Sequence, residues 1–379
     1  MTNHRKALVL AAAVLVAGCG DGAQPTSPSE SPALVPGNRP GATGVTITDL
    51  GILPNRLNNK SSLAFSLNSA TPVQVVGQST VNCCNAHGFL WTQADGMSDL
   101  GTLLASGDGS SFAYGVSDNG TIVGASDGPG SSLFGSGFVR PSGGAMTALS
   151  LLASGVGGGA QDISTNSLYI VGTNVVPVTG GAANTVAPHA VIWDGVSWET
   201  IDSIGPGHAL AVSNARIVVG GTEGADADRR AMVWTESGGS WTALPLATLP
   251  SEAWDINPAG NRIAGQRQDV GGLLAVVWVK ADETWTRTDL ASLGGTVSQA
   301  LGVSNAGWVV GMSQTARGTS RAALWKPNPD GGYDLPEDLG SFTKGGTSRA
   351  FAINENRQVA GGSKVKGTEH GALWTLSLE

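Results

Sequence analysis

Three histidines and two arginines recur at one place in a repeating pattern: His87, His189 and His370, with Arg230 and Arg321. They open the runs HGFLW, HAVIW, HGALW, RAMVW and RAALW. Histidine is the side chain best suited to proton transfer or metal ligation near neutral pH. A shared metal is excluded by geometry. Ligands bond one ion at about 2.0–2.1 Å, whereas equivalent positions on stacked sheets are separated by at least ~10 Å. The five residues therefore read as structural, each hydrogen bonding a loop backbone in its own repeat.

Other stretches invite chemistry and fail on context. GASDG, residues 124–128, matches a nucleophile elbow, but that motif needs a strand-to-helix turn and a histidine partner. Here the G-x-S recurs at Gly77/Ser79 and Gly311/Ser313, so Ser126 belongs to the repeat. GVGGGA, residues 155–160, resembles a dinucleotide fingerprint but opens a strand, not a helix. EGADADRR, residues 223–230, lacks the twelve-residue calcium-loop pattern. CCNAH places Cys83 and Cys84 near His87, half of a metal site with no second half. The adjacent cysteines leave three states open: a vicinal disulfide, pairing between molecules, or reduced thiols. No catalytic set, metal site or cofactor site emerges.

The elements that position these residues repeat seven times. The first segment reads AFSLNSATPVQVVG from Ala64, AYGVSDNGTIVG from Ala113, AQDISTNSLYIVG from Ala160 and ALAVSNARIVVG from Ala209. It continues as AWDINPAGNRIAG from Ala253, ALGVSNAGWVVG from Ala300 and AFAINENRQVAG from Ala350. A run ending in Trp follows in six units, with Arg140 replacing Trp in the second. A third piece then reads MSDLG, RTDLA or PEDLG. Each unit holds four short apolar segments between turn residues, so each reads as four antiparallel strands. Seven such units predict an all-β fold, a seven-bladed β-propeller of four-stranded antiparallel blades. Ala113 and Gly115 are expected on one strand face by the period-2 rule. The recurrent Trp is expected to fill the gaps between blades. A lone fourth-type strand, VTITDLG (residues 45–51), precedes the first unit, and the last unit lacks its own fourth strand. The N-terminal strand is expected to complete the seventh blade and hide both edges.

The combined pattern A-x-[GSA]-[IV]-[SN]…VVG…H-[AG]-F-L-W…DLG resembles the HAF-type extracellular repeat of bacterial secreted and surface proteins, over about residues 45–379. The resemblance implies an architecture and a location outside the cytoplasm; it implies no activity.

The N-terminus gives the address. Arg5 and Lys6 precede an apolar run at residues 7–17, which ends in LVAGC. This resembles a lipoprotein leader, which implies that residues 1–18 are a signal peptide and that Cys19 is the lipidated residue. Residues 19–44 are a Pro/Ser/Gly-rich flexible tether, and residues 45–379 are the propeller. The formal net charge is −8, and leader removal makes it more negative by two. Nucleic acid is therefore a poor partner, and the lipid anchor is the sole membrane attachment. The longer second-to-third and inter-blade connections share one face, where binding residues concentrate. Candidates there are Asp127, Asp226, Asp228, Arg229 and Arg349. The reading is a monomeric, surface-anchored, non-enzymatic binding module in the cell envelope, with a protein or glycan ligand. The alternative is a propeller enzyme, a lyase or hydrolase of extracellular glycans, which requires converging carboxylates at the channel mouth.

Overall fold

The computed structural model describes residues 39–40, 44–54, 60–128, 135–178, 185–222, 229–248, 250–269 and 271–377. The leader, Cys19 and nearly all of the tether lie outside the described residues, as do Asp226 and Asp228. Every named element is a β-strand. Six antiparallel four-stranded sheets follow chain order, and a seventh contains the N-terminal strand. The fold is the expected seven-bladed propeller.

The first strands of the blades are Ser62–Leu67, Ser111–Val116, Gly157–Ile163, His208–Val212, Ser251–Ile256, Gly294–Val303 and Ser348–Ile353. Each touches the first strand of the next blade, and the seventh touches the first. They are therefore innermost, around a central channel. In blade 7, Val45–Asp49 pairs with Thr368–Leu376 as the outer strand, from Val45 opposite Leu376 to Asp49 opposite Ala372. A two-residue strand, Arg39–Pro40, from within the Pro/Ser/Gly-rich stretch adds outside it.

The core is divided among the seven seams. Each apolar cluster draws buried side chains from two neighbouring blades. Trp91, Trp193, Trp234, Trp278, Trp325 and Trp374 are fully buried in these seams. An indole supplies 150–250 Å² of apolar surface, enough to fill a wedge that widens outward.

One feature departs from simple alternation. All seven first strands carry a β-bulge immediately after the motif alanine. A bulge sets two residues against one and shifts the phase of every side chain beyond it. Ala113 therefore pairs with Gly124, and Gly115 with the adjacent Val123. The two lie on opposite faces, contrary to the period-2 expectation. Gly88 of blade 1 abuts Ala113, while Gly115 abuts Ile163 of blade 3.

The turns after the first strands form a belt on the far face. Ser69 N–H donates to Asp118 (2.8 Å), Asp118 N–H to the Thr165 carbonyl (3.0 Å), and Asn166 N–H to Asn214 (3.1 Å). Asn214 N–H reaches the Pro258 carbonyl (3.0 Å), Ala259 N–H reaches Asn305 (2.9 Å), and Asn305 N–H reaches Glu355 (2.9 Å). Glu355 N–H and the Asn356 amide then return to Ser69, at 3.3 and 2.9 Å. Short polar residues recur in these turns because each must cap its own turn and reach the next blade.

Candidate functional site

In an antiparallel blade the second-to-third and inter-blade connections emerge together, so the mouth of the channel lies at the start of the first strands. The residue before each motif alanine stands there. In blades 1 to 3 it is Leu63, Phe112 and Gly159; in blades 4 to 7 it is His208, Glu252, Gln299 and Arg349. One half of the mouth is thus apolar and the other polar.

The polar half is a set of paired groups. His208 Nδ1 lies 3.4 Å from the Thr173 hydroxyl of blade 3. Burial, aided by the charge of Arg229, pushes the His208 imidazole down to about 4, so it is neutral at physiological pH. Arg229 Nη1 meets Glu252 Oε2 at 3.5 Å, and Glu252 is 5% exposed. The Gln299 side-chain amide donates to the Gln266 side-chain oxygen across the next seam. Arg349 Nε meets Glu369 Oε1 at 3.5 Å. In these two ion pairs the charges balance, and the described residues here are rich in amide and guanidinium donors.

Deeper in the channel the bulged residues meet. The Phe65 ring centroid lies 5.6 Å from that of Tyr114 and 5.7 Å from that of Phe351. These rings join blades 7, 1 and 2, and burial pushes the Tyr114 hydroxyl far up. One residue further on, Asp162 accepts the Val212 N–H at 2.9 Å, and Asp255 accepts the Val303 N–H at 2.8 Å. Each carboxylate staples its blade to the following one. Burial first, then Asp255, pushes Asp162 up to about 8. Burial, with Glu355 adding to it, pushes Asp255 up to about 7.

These shifts fix a pH dependence. A carboxyl whose folded value exceeds the unfolded ~3.9 binds more protons when folded. Stability is then fully present below the unfolded value and lost as pH rises through the folded one. His208 acts oppositely, but only below about 6.5. Between pH 6.5 and 9 the melting temperature should therefore fall by several degrees. Asp162→Asn should remove much of that fall, because the amide oxygen still accepts the Val212 N–H. Melting curves of the two proteins at both pH values check this.

The repeat-position residues are placed differently from expectation. His87 Nδ1 lies 2.9 Å from both Asp99 oxygens, and His370 Nδ1 lies 3.0 Å from both Asp49 oxygens. Arg321 Nε holds Asp338 at 3.1 and 2.9 Å. Each partner is the Asp of the DLG piece, on the adjacent fourth strand. His189 instead faces the Ser203 hydroxyl at 3.3 Å. The expected loop-backbone bond is found for Arg230, which donates to the Thr248 carbonyl, and for Arg321, which adds the Gly346 carbonyl. The cause is strand pairing: the DLG strand lies beside the third strand, which puts its Asp diagonally across from the His or Arg two residues before its paired residue. Burial opposes ionisation of Asp99, but bonds from His87 and the Gly101 N–H outweigh it and hold the carboxyl below its usual value. No partner is shared among the three histidines. Replacing each by Ala should cost about 1 kcal/mol, least at His189, and the triple variant should match the sum within ~0.5 kcal/mol. Thermal denaturation should be indifferent to Zn²⁺ or chelator.

The loop candidates divide. Arg229 joins the mouth through Glu252. Arg349 also joins it, but from the second position of a strand, not from a loop. The strand begins earlier because Ser348 accepts the Ala322 N–H at 3.0 Å and donates to the Gly340 carbonyl at 2.6 Å. Asp127 follows a strand of blade 2 and accepts the Ser110 N–H at 2.8 Å, closing its own turn. Ser126 accepts the Leu103 N–H and donates to the Asp127 carbonyl, which uses the hydroxyl structurally. Among the described residues no group of three or more His, Cys, Asp or Glu is placed to hold a metal ion. Sequence reasoning missed His208, Glu252, Gln266, Gln299 and Glu369. For His208, Glu252 and Gln299 the available signal was the position before each motif alanine, which turns from apolar to polar at blade 4; Gln266 and Glu369 carried none.

No family model matches this chain, and no curated relative matches it. Solved structures do. The propeller domain of the trilobed protease from Pyrococcus furiosus is 10% identical, with TM-score 0.54, over 84% of this chain and 94% of that one. That domain has an open velcro topology; here Val45–Asp49 closes the ring. An acylaminoacyl peptidase is 9% identical, with TM-score 0.53, over 84% of this chain and 52% of that one. TolB from Acinetobacter baumannii is 13% identical, with TM-score 0.43, over 76% of this chain and 66% of that one. This chain spans about half of the peptidase and just under two thirds of TolB. At these identities the likeness extends to the propeller fold.

Proposed function

We propose that the chain is a lipid-anchored, HAF-type repeat protein of the cell envelope, monomeric, whose propeller binds an envelope protein or glycan at the channel mouth. The observation that carries this is the divided mouth: buried Leu63 and half-buried Phe112 on one side, paired Arg229–Glu252, Gln266–Gln299 and Arg349–Glu369 on the other. Apolar surface with a few fixed polar groups is the usual make-up of a recognition site. The LVAGC sequence supports anchoring at Cys19, and the low content of basic residues argues against nucleic acid. The enzyme alternative needs two available carboxylates at the mouth. Among the described residues named at the mouth, Glu252 and Glu369 are each held by an arginine. Asp162 and Asp255 lie toward the opposite end and each bond the next blade's backbone. Binding is therefore the favoured reading.

The test is capture of solubilised envelope proteins and glycans by the full chain in mild detergent. Arg349→Ala/Glu369→Gln, which removes the pair without leaving a lone charge, should lose the captured component by tenfold or more while keeping the wild-type melting temperature. Retention of the same component by this variant would exclude the mouth as the binding site.

A further inference from the structure

We propose that Cys83 and Cys84 form a reversible thiol–disulfide couple within one chain, on the same face as the channel mouth. The two residues lie in the connection between Gln74–Thr80 and Ala86–Thr92 of blade 1, and both are exposed. Their sulfur atoms stand 2.9 Å apart. A tight turn fixes this arrangement. The Asn82 side-chain oxygen accepts the N–H groups of Cys84 and Asn85, at 3.0 and 2.8 Å, and the Val81 N–H reaches the Asn85 carbonyl at 3.1 Å. The turn thus holds the two exposed residues with their sulfurs side by side.

The co-reactant is a small disulfide such as oxidised glutathione. One thiolate attacks a sulfur of that disulfide, forming a mixed disulfide and releasing the first thiol. The neighbouring thiolate then attacks the mixed disulfide at the protein sulfur. The Sγ–Sγ bond forms, and the second thiol leaves. One dithiol and one disulfide thus give one intrachain disulfide and two thiols, with two electrons and two protons passing to the co-reactant.

Adjacency decides the second step. A neighbour already in place competes at a high effective concentration, so ring closure outruns capture of a second glutathione or of another chain. Adjacency also makes the product reducible. Consecutive Cα atoms are 3.80 Å apart, shorter than the usual 4.4–6.8 Å of a bridged pair. Strained, exposed disulfides are the readily reversed ones.

The experiment treats the full chain with oxidised glutathione, then maps the peptide containing residues 81–89 by mass spectrometry. That peptide also excludes Cys19, the third cysteine. The expected product is lighter by two hydrogen masses, carries no glutathione, and returns to the dithiol mass with dithiothreitol. Cys83→Ser and Cys84→Ser should each accumulate the glutathione adduct instead, with wild-type melting curves. Glutathione adducts on both sulfurs, interchain dimers through this peptide, or an unchanged dithiol mass would each overturn the proposal.

Discussion

A chain lacking residues 1–51 should aggregate on expression or melt well over 10 °C below the full chain. The strand Val45–Asp49 supplies three separate contributions to the closing seam. It gives the main-chain pairing to Thr368–Leu376. It buries Ile47 at 0% exposure against the same cluster as Trp374, Leu324 and Phe342, with Val45 and Leu376 beside them. Asp49 is the partner of His370, and the Gly51 carbonyl accepts the Ser62 hydroxyl of blade 1 at 2.6 Å. Burying one large aliphatic side chain is worth about 1.5–3 kcal/mol, and the strand buries several. Its loss also exposes the edge of Thr368–Leu376, and an uncovered edge is a template for pairing with another chain. Differential scanning calorimetry and size-exclusion chromatography check both effects. Adding back a synthetic peptide of residues 39–54 should restore a monomeric species, because the edge it covers is already formed by the rest of blade 7. A truncated protein that stays monomeric with an unchanged melting curve would mean that the ring is held at another seam.

How much of this was legible in the sequence depends on the kind of regularity involved. Blade number, strand order and the closing strand follow from a period of 44 to 50 residues and from one misplaced DLG. The indole positions follow too, since an apolar residue repeated at a strand end has one large gap to fill. The bulge was hidden because it leaves no composition of its own: the extra residue is Phe65, Tyr114, Gln161, Leu210, Trp254, Leu301 or Phe351. The pairing of His87 with Asp99 was readable only once strand register was known, since twelve residues separate them. The inter-blade serines were visible as letters and silent as to role. Ser62, Ser111, Ser251, Ser298 and Ser348 each accept an N–H from the preceding blade's third strand. Blades 3 and 4 have glycine or histidine near that place, and the repeat drifts there. The mouth was the least legible part. Its residues vary from blade to blade, and variation looks like noise until the positions are known to converge on one channel.

The bulge also explains the final glycine of every motif, and predicts the cost of replacing it. Gly311→Ala should destabilise the protein by about 3 kcal/mol or more, the upper end of the 1–3 kcal/mol usual for overpacking. A Cβ at Gly311 would sit within bonding range of the Gln299 carbonyl oxygen and crowd the Ala300 Cα. Both are main-chain atoms of a first strand fixed between two blades, so no side chain can swing away. The same obstruction recurs at Gly77, Gly124, Gly172, Gly220, Gly265 and Gly361, each against the carbonyl of the residue before the motif alanine. Backbone conformation is not the cause, because none of the seven has a positive φ. The requirement is close approach: the bulged strand dips toward its neighbour, and only hydrogen fits between them. Gly332 is the control. It also lacks a positive φ, and the nearest atom to its added Cβ is an Asn328 side-chain oxygen at 3.5 Å, an ordinary contact. Gly332→Ala should change stability by less than about 0.5 kcal/mol. Gly124 and Gly311 stand in blades 2 and 6, which share no seam. Their double Ala variant should then lose the sum of the two single losses, within ~0.5 kcal/mol. Denaturant unfolding of the wild type, Gly332→Ala, the two single variants and the double variant measures all of this. Equal midpoints for Gly311→Ala and Gly332→Ala would refute the close-approach account.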